Sequence, residues 1–368
     1  MRGRCARSLV LRLVFTAGVA FVAAPHVVEA RGTAPDARGK APEPAAMQSK
    51  AASVADELVW PLPPDPPRIR FVAAYSGEAD FKKKASGFRR LLLGPEPPSG
   101  VVLKKPYGVA ASDDGRIYVT DTGSATVFAF DAARREVRQL GVEGRVHFRV
   151  PTGIAVDGAG RVFVADSGLA AIYCFDGAGK PVMSLGGKEL QSPAGLAIDR
   201  ARHRLYAADS RGHRILSWDI ESGKFLAAWG TRGAGDGQFN YPTNLAVDKA
   251  GRVYVTDTGN FRVAILDADG RFVRAFGDAG DAMGHFHRPK GIGVDSDGNV
   301  YVSDAAFNNY QIFDDTGRLL LAVGGAGRDP GTFWLPAGLH VDAKDKVYVV
   351  DQVNARVQVF QYLKSPAK

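Results

Sequence analysis

Six times along this chain a proline is followed, 15 or 16 residues later, by an aspartate that closes an alternating apolar run. The prolines are Pro106, Pro151, Pro193, Pro242, Pro289 and Pro336, and the aspartates are Asp121, Asp166, Asp209, Asp257, Asp304 and Asp351. Successive prolines stand 42 to 49 residues apart. The single extra residue falls in the third copy, in the turn Arg200-Ala201-Arg202-His203-Arg204. A period of this length confines the chain to stacked or circularly arranged copies of one supersecondary unit.

Each copy reads as four short strands. Gly153-Ile154-Ala155-Val156-Asp157 is a compact first strand, and glycine turns such as Asp114-Gly115 and Asp297-Gly298 supply the positive φ of a tight hairpin. A β-branched and aromatic strand follows, as in Val253-Tyr254-Val255-Thr256-Asp257, and two more complete the copy. Four antiparallel strands per 40-odd residues is the arithmetic of a propeller blade. The sixth copy lacks its fourth strand, whereas a lone segment at about residues 68–76 matches fourth strands such as Phe272–Gly277. The expectation is an all-β, six-bladed propeller whose N-terminal strand completes the last blade and so removes two sheet edges.

The unit running from Tyr241-Pro242-Thr243-Asn244 through Val253–Asn260 to Arg262-Val263 resembles an NHL repeat, as does the lead-in Gly235-Asp236-Gly237-Gln238-Phe239. The resemblance covers residues 68 to 363 and implies an NHL-type β-propeller. Copies one to three depart from the Asn-x-Arg element, with Ser124-Ala125-Thr126, Leu169-Ala170-Ala171 and Gly212-His213-Arg214 in its place.

Outside the repeats, residues 1–30 carry the marks of a secretory signal. Arg2, Arg4, Arg7 and Arg12 form a basic start, Leu13 to Ala24 is apolar, and Val28 and Ala30 suit cleavage after residue 30. The apolar run is shorter than the roughly 20 residues of a membrane span. Removing the segment lowers the net charge from +8 to about +5, because four Arg and one Glu leave with it. Cys174 then stands alone, which rules out an internal disulfide. Residues 31–57 read as an Ala- and Pro-rich tether and 364–368 as a tail. Between them, residues 58–105 hold the closing strand and a basic loop with Lys82, Lys83, Lys84, Arg89 and Arg90, and residues 106–363 hold the repeats. The expected location is periplasmic or extracellular, and the basic loop reads as solvated or as resting on an acidic partner or an anionic membrane face.

Few residues carry chemistry. The repeat-end aspartates read as turn caps. The first-strand aspartates Asp157, Asp199, Asp248, Asp295 and Asp342 lie nearer the axis, where calcium stays open as an alternative to no cofactor. His340 occupies a first-strand position where the other copies have Ala110, Ala155, Ala197, Ala246 and Gly293, but zinc needs three or four donors. On the loops between second and third strands, His213, Arg214, Phe261, Arg262, Tyr310 and Arg356 form a candidate binding set; for Arg262 and Arg356 the resemblance implies pinning of the hairpin. Export argues against nucleic acid. The sequence therefore points to an exported, non-catalytic, monomeric ring that binds or scaffolds a protein or glycan partner in the envelope. The alternative is a metal-dependent lyase or hydrolase, with zinc or calcium near the axis and His340 in its shell.

Overall fold

A computed structural model describes residues 58–81, 100–141 and 146–364. It contains six antiparallel sheets, five of four strands and one of five, each ordered by sequence within its copy. Blades 1 to 5 run over residues 106–140, 151–186, 193–229, 242–276 and 289–324. Blade 6 combines Pro336–Val341, Lys346–Asp351 and Arg356–Tyr362 with Ile69–Tyr75 from the N-terminal side.

The closing strand pairs antiparallel with the last one, Ile69 opposite Tyr362 and Tyr75 opposite Val357. Phe71 is buried against Phe360, with ring centroids 5.7 Å apart. The sequence did not signal a further two-residue strand, Val59–Trp60, which pairs with Ile69 and Arg70. Trp60 packs its ring on Phe360 at 5.7 Å. Two residues are too short for a periodicity to register, and tertiary packing makes this strand.

Around the axis the first strand of each blade packs on that of the next, and that of blade 6 on that of blade 1. This close approach explains the Pro-x-Gly signature. A Cβ on Gly338 would stand 2.6 Å from the carbonyl oxygen of Tyr107, and one on Gly195 would stand 2.5 Å from the Cα of Asn244. Side-chain hydroxyls stitch neighbouring blades: Thr120 donates to the Thr152 carbonyl at 2.6 Å, Thr256 to that of Lys290 at 2.7 Å and Ser303 to that of Ala337 at 2.6 Å. Gln352 donates to the Pro106 carbonyl at 3.2 Å, linking blade 6 to blade 1.

Candidate functional site

All six repeat-end aspartates are fully buried, and in every blade they accept N–H groups of the loop before the proline; Asp209, Asp257 and Asp351 meet their own hairpins through Arg or Asn side chains. Asp121 accepts the backbone N–H groups of Lys104 (2.6 Å) and Lys105 (3.0 Å) through Oδ2, and those of Gly123 (2.9 Å) and Ser124 (2.8 Å) through Oδ1. Asp166 binds Arg149, Val150, Gly168 and Leu169 in the same way. One carboxylate thus ties the crossing loop from the previous blade to the hairpin turn of its own. Such charge-assisted bonds are among the stronger ones a fold contains. The turn-cap reading of these residues describes half of this arrangement; the other half is the grip on the loop before each proline.

That loop lies immediately before an inner strand, so its residues encircle one end of the axis. Its exposed members are Lys104, Lys105, Arg149, Gln191, Tyr241, His287, Arg288 and Trp334. Tyr241 is 48% exposed and Trp334 46%, high values for aromatic side chains on a rigid backbone. Neither was singled out from sequence. The available signal was an aromatic just before the proline in Tyr241-Pro242 and Trp334-Leu335-Pro336.

The predicted loop residues sit at the same end but are mostly engaged in the fold. His213 is buried; its Nδ1 accepts the N–H of Tyr241 at 3.2 Å and its ring centroid lies 4.6 Å from that of Tyr241. His213 and Phe261 share a left-handed backbone, φ 54° in both, with Ala125, Ala170, Asn308 and Ala355. Recurrence in all six blades makes this conformation hairpin geometry rather than strain stored for a site. Arg262 pairs with Asp257 at 2.9 Å and donates to the carbonyls of Ala234, Gly235 and Gln238. Arg356 pairs with Asp351 at 2.7 Å and holds Asp329 and Thr332, while Arg214 pairs with Asp209 at 3.2 Å and holds Glu189. The placement of Tyr310 on this surface needs correction. It lies in the third strand of blade 5, fully buried between the rings of Phe333 and Phe360. Lys82, Lys83, Lys84, Arg89 and Arg90 lie outside the described residues.

A cavity of about 460 Å³ runs along the axis. Ala155, Ala197, Ala246 and Gly293 line it without filling it, whereas His340 projects from blade 6. Burial lowers the His340 pKa to about 4; Asp342 opposes that shift and Arg200 adds to it, so the imidazole is neutral near pH 7. The ring lies 6.0 Å from that of Tyr348, and among the described residues its nitrogens have no hydrogen-bond partner. The inner-strand aspartates are engaged in their own turns: Asp157 with Arg161 at 2.6 Å, Asp248 with Arg252 at 2.6 Å, and Asp295 with Tyr301 at 2.9 Å. Among the described residues no three His, Cys, Asp or Glu side chains come together as a metal-binding group.

At the rim end Lys290 Nζ stands 5.5 Å from the centre of the Tyr107 ring. Burial lowers its pKa to about 8, and Arg288 and Lys105 push the same way.

Six sheets around an axial cavity define a β-propeller. The NHL repeat model matches three of its copies, at residues 103–130, 239–266 and 286–313. NHL repeat-containing protein 2 of Gallus gallus is 34% identical over 90 residues, 22% of this chain and 12% of that protein. NHL repeat-containing protein 3 of Homo sapiens is 31% identical over 86 residues, 22% of this chain and 24% of that protein. The match thus spans between an eighth and a quarter of the length of these relatives. Among solved structures, a streptogramin B lyase superposes with a TM-score of 0.55 at 12% identity, covering 72% of this chain and 96% of that one. A gluconolactonase of Xanthomonas campestris gives 0.55 at 18%, covering 71% and 87%. At such identities the likeness shows the fold alone.

Proposed function

We propose that this chain is an exported binding propeller that engages a protein or glycan partner of the cell envelope through the rim formed by the loops before the six prolines. The observation that carries this reading is the rim itself: exposed Tyr241 and Trp334 among Lys104, Lys105, Arg149 and Arg288, on loops whose backbones are bonded to buried aspartates. Rigid, exposed aromatics beside cations are what tight recognition uses, because little side-chain freedom is lost on binding. Export is supported by the signal-like residues 1–30. The test is in-cell chemical cross-linking of the wild type against the double variant Tyr241→Ala, Trp334→Ala. Loss of the adduct with unchanged Tm supports the rim, and an undiminished adduct rejects it.

A second reading is favoured by one observation, the unpartnered neutral imidazole of His340 facing the cavity. In that reading the chain is a lyase or hydrolase acting at the axis; a streptogramin B lyase and a gluconolactonase share its fold. Elemental analysis separates its metal-dependent form from the first. Stoichiometric zinc or calcium in the purified protein would favour the enzyme; a metal-free, fully folded ring would favour the binder.

A further inference from the structure

The axial cavity lies inside the ring, with Tyr107 at its rim end, and its chemistry is of a different kind. Its size falls within the range of small-molecule pockets. At about 30 Å³ of liquid per water it has room for about fifteen waters. The walls mix polar and apolar surface in nearly equal parts, with the small residues Ala155, Ala197, Ala246 and Gly293 among the lining.

Three polar side chains on this lining retain free hydrogen-bonding capacity. The Tyr107 hydroxyl from blade 1 has no hydrogen-bond partner among the described residues, nor have the His340 nitrogens from blade 6. The Asn244 amide from blade 4 takes the place of the repeat's glycine. It accepts the Leu245 N–H at 3.0 Å through Oδ1, and its NH₂ group has no partner among the described residues. Blade 4 stands opposite blade 1 in the ring and blade 6 adjoins blade 1, so these groups line the cavity on three different walls. These groups are available to hydrogen-bond whatever occupies the cavity, water included.

The charged residues on the lining are all hydrogen-bonded or ion-paired within the protein. Arg200 crosses to Asp113 at 2.8 Å, Asp199 pairs with Arg202 at 3.0 Å, and Asp248 with Arg252 at 2.6 Å. Asp345 pairs with Lys364 at 3.3 Å and accepts from Ser296, while Asp295 and Asp342 accept phenol hydrogens from Tyr301 and Tyr348. Lys249 donates to the Ser296 carbonyl at 3.4 Å. Each charged group on the lining is already engaged by the protein, whereas the free hydrogen-bonding capacity belongs to neutral groups.

We propose that the axial cavity is a binding site for an uncharged small organic molecule with an apolar body and hydroxyl or amide groups, hydrogen-bonded by Tyr107, Asn244 and His340. The site is independent of the rim and of any reaction.

The test uses three probes of equal size, all 4-nitrophenyl β-glycosides: the neutral glucoside, the anionic glucuronide and the cationic glucosaminide. Binding to the full chain is measured by calorimetry. The expected result is a sub-millimolar Kd for the glucoside, with each charged probe at least tenfold weaker. His340→Ala should weaken the glucoside by about tenfold. Ala246→Leu, which fills the cavity, should abolish its binding while the melting transition and the rim cross-link persist. The proposal is overturned if no probe binds up to several millimolar, if a charged probe binds as well as the neutral one, or if folded Ala246→Leu binds undiminished. Should Ala246→Leu fail to fold, Ala197→Val replaces it with the same required outcome. Loss of the rim cross-link in Tyr241→Ala, Trp334→Ala with intact glucoside binding shows that the two sites are separate.

Discussion

The backbone N–H of Trp334 donates to a carboxylate oxygen of Asp351, 17 residues further along the chain, at 2.8 Å. The same aspartate receives Arg356 Nε at 2.7 Å and the side-chain amide of Asn354 at 2.8 Å. One buried charge therefore sets the position of an exposed aromatic on the rim. Asp351→Ala leaves Arg356 without its carboxylate and the Trp334 N–H without a partner, and removing one partner of a buried ion pair costs about 3–5 kcal/mol. Chemical denaturation of the variant should show a loss of that size, together with greater solvent quenching of tryptophan fluorescence. A loss below about 1 kcal/mol would mean that the loop holds itself.

Arg262→Lys should lower stability by about 1–2 kcal/mol, because an ammonium cannot reproduce the fork that reaches Asp257 and three carbonyls at once. The rim cross-link should survive in this variant at permissive temperature. Its loss in a folded protein would return Arg262 to the binding surface.

Ring closure by the N-terminal strand predicts that Phe71→Ala costs as much as a deletion inside a blade, about 3–5 kcal/mol. Calorimetry should still show one cooperative transition. Two separated transitions would indicate that the closing strand docks on an already stable ring.

This closure was legible in the sequence because the sixth copy lacked a strand that residues 68–76 could supply. The six aspartates were legible as turn residues, but the spacing within one copy could not show their grip on the preceding blade's loop. The rim was missed because its residues differ from blade to blade; what recurs there is the backbone bond, and periodicity reports side chains. Tyr310 was misplaced for the opposite reason. It follows Asn308-Asn309 in a loop-like stretch, yet the strand begins at Asn309 and carries the ring inward.

His340 supplies a pH dependence with a definite sign. Its pKa is depressed to about 4 in the fold against 6.5 for an ordinary histidine, so the unfolded chain binds the proton more readily. Stability from this group is intact above pH 6.5 and declines as pH falls towards 4, by at most about 3 kcal/mol. In His340→Gln that decline disappears, so the Tm difference between variant and wild type should shift in the variant's favour between pH 6.5 and 4. Parallel curves would place the imidazole in contact with water.

Cys174 is buried, and desolvation raises its thiol to about 11, so it should resist a thiol reagent at pH 8 until the protein unfolds. Rapid labelling of the folded protein would show that blade 2 opens locally.

The central claim is that the rim, and no other face, meets the partner. A photo-reactive residue placed in living cells at Tyr241, Trp334 or Arg288 samples the rim, while Val273 and Leu320 sample the outer strands and Lys249 the far end of the axis. The account predicts one discrete covalent adduct of the same mass from the three rim positions and none from the other three. Adducts from the outer strands or the far end, with the rim silent, would contradict it.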